Sequence, residues 1–252
     1  MSELKNRLME GKTALITGGA KRIGRAISLA CAKEGANVVV HYNHSSTEAD
    51  SLCDEIKKSG VKAISLQADF SGENFSPTGL IEKSLELTGL LDFLINSASV
   101  FPESKIDTVT FDDLAGAMRI NSWVPFELSR EFVKKCGKGK IINLLDTRHL
   151  DFDWNHVAYI LSKKMLAEMT RMMAVHFAPD VQVNAVAPGL ILPPPGKDMK
   201  YIENLVHTVP LNKHGDAGDV ADAVIYLLKS SFLTGEVIYV DGGRHLKGYR
   251  NG

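Results

Sequence analysis

Residues 13–27 read TALITGGAKRIGRAI, a short apolar run that passes through a glycine turn into helix-spaced hydrophobic residues. TALIT (13–17) has the β-branched, uncharged composition of a buried strand, whereas Ile23, Ala26, Ile27 and Ala30 recur at three- and four-residue spacing. Between them Thr17, Gly18 and Gly19 can form a tight turn, and Gly24 lets the following helix pack close to the sheet. A helix that starts at such a turn points free backbone N–H groups and its positive dipole end at whatever lies beyond the strand. A pyrophosphate suits both.

The same alternation continues along the chain. NVVVH (37–41), KAISLQ (62–67), LDFLIN (91–96), KIINLL (140–145), VQVNAV (181–186) and EVIYV (236–240) follow, each separated from the next by a helix-like segment such as the one carrying Val157, Leu161, Leu166 and Met169. Seven strands alternating with helices predict an α/β Rossmann fold, a doubly wound seven-stranded parallel sheet with helices on both faces. With 252 residues, 44% of them hydrophobic, the chain is the right size for one core, so residues 1–252 are read as a single domain. The Pro-rich LPPPGKD (192–198) falls within a substrate loop at about 190–210.

Composition narrows the function. A net charge of -1, from 29 basic and 30 acidic residues, gives no electrostatic footprint for nucleic acid or an anionic membrane, and a small-molecule substrate is expected instead. Cys31, Cys53 and Cys136 lie far apart and read as free thiols, and no metal is expected because His149, His156 and His176 lack ligand spacing and read as surface residues. The start, MSELKNRLMEGK, has no apolar signal region and no stretch is long enough to span a bilayer, so a cytoplasmic location is expected. Met165, Met169, Met172 and Met173 read as core or subunit-contact residues, and Trp154 as a pocket wall.

The end of the second strand sharpens the cofactor. An NAD site places an acid there for the ribose 2′-hydroxyl, but this chain reads HYNHSS (41–46). Arg22, His44, Ser45 and Ser46 offer cations and donors to a 2′-phosphate, so NADPH is the expected cofactor. Ser45 with Glu48 also fits a helix capping box. Asp69, just after the third strand, can accept from an adenine amino group.

YILSKK (159–164) puts Tyr159 and Lys163 on one helix face, with Asp146 thirteen residues before the phenol. An ammonium beside a phenol lowers its pKa toward the working pH, which would suit Tyr159 to proton transfer.

The glycine turn, INSAS (95–99), Asn121, Asp146, YxxxK and Pro188-Gly189 occur in an order that resembles the short-chain dehydrogenase/reductase family, from about Gly11 to the DGG at 241–243. The resemblance implies Tyr159 as proton donor, Lys163 as the residue that lowers its pKa and holds the nicotinamide ribose, and Asn121 as keeper of a relay water. It implies a cofactor bed of Gly18, Lys21, Arg22, Ile23, Gly24, His44, Ser45, Ser46, Asp69, Phe70, Asn96, Ser97, Ala98, Tyr159, Lys163, Pro188 and Gly189. A homotetramer is implied, with a dimer as the alternative.

Three positions depart from most of that family: Arg22 for glycine, Asp146 for serine, and Ser97-Ala98-Ser99 for NAG. The serine hydroxyl normally binds a substrate carbonyl, which an anionic Asp146 does not do. Arg22, Asp146 and the S-x-F run resemble the pteridine reductases, and FLTGEVIYVDGGRHLKG (232–248) resembles the bacterial dihydromonapterin reductases. That implies NADPH-dependent reduction of a pterin or dihydrofolate-like C=N bond, with a substrate site of Arg22, Ser99, Phe101, Asp146 and Tyr159. Phe101 would stack on the pterin, and Ser99 and Arg22 would bridge it to the cofactor phosphate. The alternatives are a carbonyl reductase of keto-acyl or sugar substrates, with Thr147 standing in for the serine, and a non-catalytic NADPH-binding regulator.

Overall fold

A computed structural model describes residues 7–194 and 196–249. All seven expected strands form: β1 (Thr13–Thr17), β2 (Asn37–Tyr42), β3 (Ala63–Gln67), β4 (Phe93–Asn96), β5 (Gly139–Leu144), β6 (Val181–Pro188) and β7 (Val237–Val240). They make one parallel sheet in the order β3-β2-β1-β4-β5-β6-β7. Strand order reverses between β1 and β4, so a crevice opens beyond their carboxyl ends, where Thr17 and Asn96 are register partners.

The period-two alternation of each strand sorts its side chains between two cores. Ala14, Ile16, Val38, Val40, Ile142 and Leu144 face a layer made with α1 (Arg22–Lys33), α2 (Ser46–Lys57) and α8 (Ala217–Lys229). Leu15, Val39, Leu94 and Ile141 face the opposite layer, built with α3 (Pro77–Thr88), α5 (Val124–Cys136) and α6 (Val157–His176). Both faces are therefore dry, as an all-parallel sheet requires.

Local chemistry sets the helix ends. Ser76 accepts from the Gly79 N–H ahead of Pro77 at the start of α3, and Gly89 closes it in the left-handed conformation at φ 78°. Thr110 and Asp113 form a reciprocal capping box on α4 (Phe111–Met118), as Asp216 and Asp219 do on α8. The expected Ser45–Glu48 box does not form: Ser45 makes no side-chain cap, and Glu48 pairs with Lys21 at 2.5 Å. A cation across the groove is a stronger partner for that carboxylate than a backbone N–H. Short α7 (Met199–Glu203) lies in the substrate loop, and a 3-10 helix, Arg244–Tyr249, follows β7.

Candidate active site

The glycine turn is held from two sides. Thr17 Oγ1 accepts from the Ser97 and Ala98 N–H groups at 3.0 Å each, joining the ends of β1 and β4. Gly18 has φ +62°, and a Cβ there would lie 2.9 Å from the Ala98 Cα; a Cβ on Gly24 would lie 2.2 Å from the Gly18 carbonyl oxygen. Only glycine fits either place. The first turn of α1 has no side-chain cap, which leaves its N–H groups open to an anion.

His41, which the sequence reading passed over, supports this turn. Its Nδ1 accepts from the Gly18 N–H at 3.1 Å, its Nε2 lies 3.0 Å from the Ala68 carbonyl, and its ring stacks on Phe70 at 4.3 Å. Burial lowers its pKa from 6.5 to about 4, so the imidazole is neutral at working pH. Between those values the unfolded chain takes up a proton that the folded chain refuses. His41's contribution is complete above pH 6.5 and is lost as pH falls toward 4, by up to about 3 kcal/mol. Urea unfolding at pH 7 and pH 4.5 should show a steeper loss of stability in the wild type than in His41→Gln; equal losses would count against this.

Several expected cofactor residues also carry structural contacts. The Phe70 side chain is buried against His41 and Phe75, and its carbonyl accepts from Arg119. Asn96 is buried and donates to Asn143 Oδ1 at 2.9 Å, because its register position aims it at α5 and β5. Asp69 accepts from Asn43 and twice from Ser71, closing its own turn. Pro188 ends β6 beside Val240, and the Gly189 N–H donates to the Val240 carbonyl at 2.9 Å. His44 and Ser46 are exposed and Ser45 half-buried at the start of α2, and Ile23 lies half-buried beside Arg22 at the start of α1.

Arg22 takes φ +55° at the first residue of α1, the conformation that a glycine there would adopt freely. Its Nη2 donates to the Pro193 carbonyl at 2.6 Å, so it ties the glycine turn to the substrate loop.

At the reacting end Tyr159 donates its hydroxyl proton to Asp146 Oδ2 at 3.0 Å. The expectation for the phenol is overturned in sign. Burial and then the Asp146 charge push its pKa well above 10, while Lys163 Nζ sits 5.8 Å from the centre of the ring and donates to the Leu144 carbonyl at 2.7 Å. Burial also lowers the Lys163 pKa from 10.5 to about 8. Tyr159 is thus held as a neutral phenol, a proton donor.

Asn121 lies in a π-helical turn, Arg119–Trp123, between α4 and α5. Its Oδ1 accepts from Val100 N and Ser99 Oγ, and its Nδ2 donates to the Val100 carbonyl and Ser162 Oγ. All four side-chain hydrogen-bonding positions are taken. The side chain pins the loop after β4 to α6. Ser99, exposed, donates to the same amide.

That loop is stapled again by Ser104 Oγ, which accepts from the Ala158 N–H of α6. Between the two staples Phe101 stacks on His156 at 4.0 Å and meets Tyr159 edge-on at 4.6 Å, so one of its faces already has a protein partner. The segment between β5 and α6 supplies the remaining charges. Arg148 donates to Asp146 Oδ1 through its backbone N–H at 2.8 Å and through Nε at 3.4 Å, and its Nη1 reaches Asp153, which also binds His156. His149 is buried, not superficial: Nδ1 lies 2.8 Å from the Asp146 carbonyl and the ring stacks on Tyr239. His156 is half-buried in the site, and of the three histidines only His176 is exposed. Trp154 is 62% exposed on the outer rim, stacked on Phe152.

A family model described as enoyl-(acyl carrier protein) reductase matches residues 18–245. A short-chain dehydrogenase/reductase of Pestalotiopsis microspora is 30% identical over 254 residues, spanning 93% of this chain and 96% of its own length. The chain belongs to the short-chain dehydrogenase/reductase family. Versicolorin reductase stcU of Emericella nidulans is 32% identical, with 96% of this chain and 99% of its own covered. Among solved structures, FolM alternative dihydrofolate reductase 1 from Brucella canis, complexed with NADP, superposes with a TM-score of 0.90 at 31% identity, over 95% of this chain and 96% of that one.

As a member of this family the protein is an oxidoreductase. Its site lacks the family's carbonyl-binding serine, and Thr147 does not replace it, because its hydroxyl donates to buried Asp241 at 2.6 Å. Among the described residues no helix is long and apolar enough to cross a membrane.

Proposed function

We propose that this oxidoreductase uses NADPH to reduce a C=N bond in a pterin or dihydrofolate-like ring. The observation that carries the reading is the Tyr159–Asp146 hydrogen bond of 3.0 Å, formed at the position where the family has serine. A neutral phenol backed by a carboxylate can deliver a proton to a ring nitrogen, and neither Asp146 nor the engaged Thr147 supplies the hydroxyl that would grip a carbonyl oxygen.

The residues fit the cofactor on their own geometry. The uncapped start of α1 and the glycine cradle leave room and donors for a pyrophosphate at Gly18, Lys21, Arg22, Ile23 and Gly24, beside Ser97 and Ala98. The uncapped start of α2 offers His44, Ser45 and Ser46 to a 2′-phosphate, no acid closes β2 ahead of them, and Glu48 in the first turn is paired with Lys21. Lys163 spends one of its three N–H groups on Leu144 and keeps the others for a ribose. The NADP bound by the Brucella protein supports the same assignment. When bound, a reduced nicotinamide supplies the hydride.

The chain's own residues then do three things. Tyr159 gives its proton to the nitrogen next to the reduced carbon. Asp146, whose side chain is 18% exposed, passes a replacement proton to the phenol. The aromatic wall of Phe101, His156 and Tyr159 seats a flat bicyclic ring by stacking and fixes its distance from the phenol.

Absorbance-monitored NADPH oxidation with dihydrobiopterin, dihydromonapterin, dihydrofolate and a series of simple ketones in parallel tests the reading. Turnover of dihydropterins at least about tenfold above any ketone is expected. A profile confined to ketones favours a carbonyl reductase, and cofactor binding without oxidation of any substrate favours a regulator.

A further inference from the structure

Beyond the ring site, Arg148 and Arg244 stand on the two segments that meet after β5 and β7. Asp241 accepts from Thr147 at 2.6 Å and from His245 Nδ1 at 2.9 Å, and the rings of His149, Tyr239 and His245 stack in series at 5.7 and 4.2 Å. These contacts dock the Arg244–Tyr249 turn on the Thr147–Leu150 turn, on the rim of the Asp146–Tyr159 site. Arg148, Asp146, Asp241 and Tyr201 of α7 all lie within electrostatic range of Arg244 there.

The two cations are not equivalent. Arg148 is neutralised by Asp146 and Asp153. Every carboxylate oxygen near Arg244 is already taken: Asp146 by Arg148 and Tyr159, and Asp241 by Thr147, His245 and the Gly243 N–H. Arg244 is half-buried, and among the described residues its guanidinium has no ion pair or side-chain hydrogen bond. A partly desolvated guanidinium without an ion pair among the described residues, in the field of a second arginine as well as of Asp146 and Asp241, keeps its donors for a further anion. A carboxylate presented as a fork suits them.

We infer that Arg244 binds a carboxylate carried on the tail of the substrate. The inference rests on the pterin reading and deepens it: the preferred ring bears an acidic side chain, as the amide-linked glutamate of dihydrofolate does, rather than a neutral hydroxyalkyl group.

The test compares wild type, Arg244→Gln and Arg244→Lys on dihydrofolate and on dihydrobiopterin. In Arg244→Gln the KM for dihydrofolate should rise by about 10- to 100-fold relative to that for dihydrobiopterin, the loss expected for one charged hydrogen-bonded pair, with kcat little changed. Arg244→Lys should recover part of it. An unchanged KM ratio, or a change in both substrates accompanied by altered assembly on size exclusion, overturns the inference and assigns Arg244 to the scaffold. If wild type oxidises NADPH with neither pterin, the ring reading fails instead. Calorimetric titration of p-aminobenzoylglutamate then decides the arginine's role, with weaker binding to Arg244→Gln in support and equal binding against.

Discussion

Tyr159→Phe is expected to lower dihydropterin turnover by about a thousandfold while leaving NADPH affinity within about twofold. The phenol makes one polar contact, the 3.0 Å bond to Asp146, and its ring carries the edge-on packing with Phe101, which phenylalanine keeps. Asp146 in turn keeps its bonds from Arg148, so the deletion leaves no carboxylate without a donor. Removing one hydroxyl therefore costs on the order of 1 kcal/mol of stability, too little to unfold the chain. What is lost is the proton. Because burial and Asp146 keep the phenol protonated, catalysis through it serves reduction, where a proton is delivered, better than oxidation, where a phenolate must take one up. Stopped-flow measurement of NADPH oxidation separates binding from chemistry, and a variant that keeps full turnover ends the proposal.

The sheet was legible in the sequence because each strand is a local composition signal, and the glycine turn was legible because Gly24 answers to Gly18 and Gly19 a few residues earlier, whereas the approach of Ala98 to Gly18 has no local sign. The Tyr159–Asp146 pair was legible too, from spacing and order. What escaped was set by burial and by distant partners. The sequence puts Lys163 on the same helix face as Tyr159, but it does not show that the ammonium bonds to Leu144, nineteen residues earlier, or that enclosure raises the phenol's pKa. Asn121 is saturated by Val100 and Ser162, 21 and 41 residues away, so its engagement has no local sign. Arg148, Asp153 and His156 carried a usable signal: charged residues crowd the segment directly after β5, at the carboxyl end of a central strand, where ligands of such sheets bind. Reading the histidines for metal spacing alone hid it.

Asp146→Asn and Asp146→Ser separate the charge of this residue from its shape. The amide keeps its oxygen for the Arg148 N–H and turns its NH2 toward the Tyr159 oxygen, so the geometry of the turn should persist, but it can neither carry nor relay a proton. Turnover of dihydropterins at neutral pH should fall about a hundredfold with KM within a few-fold, because the loss is confined to the transition state. Arg148 would retain Asp153 and so stay paired. With the negative charge gone the phenol's pKa should also fall, which ultraviolet titration of the Tyr159 band against the Tyr159→Phe background can read. The serine variant restores the hydroxyl that the family uses on carbonyls, in a site whose Thr147 is unavailable. It should lose dihydropterin turnover as the asparagine variant does and shift the ratio of ketone to dihydropterin activity upward by at least about tenfold. If both variants reduce dihydropterins as fast as the wild type, Asp146 only positions Tyr159. The preference for nitrogen over oxygen must then lie in the aromatic wall.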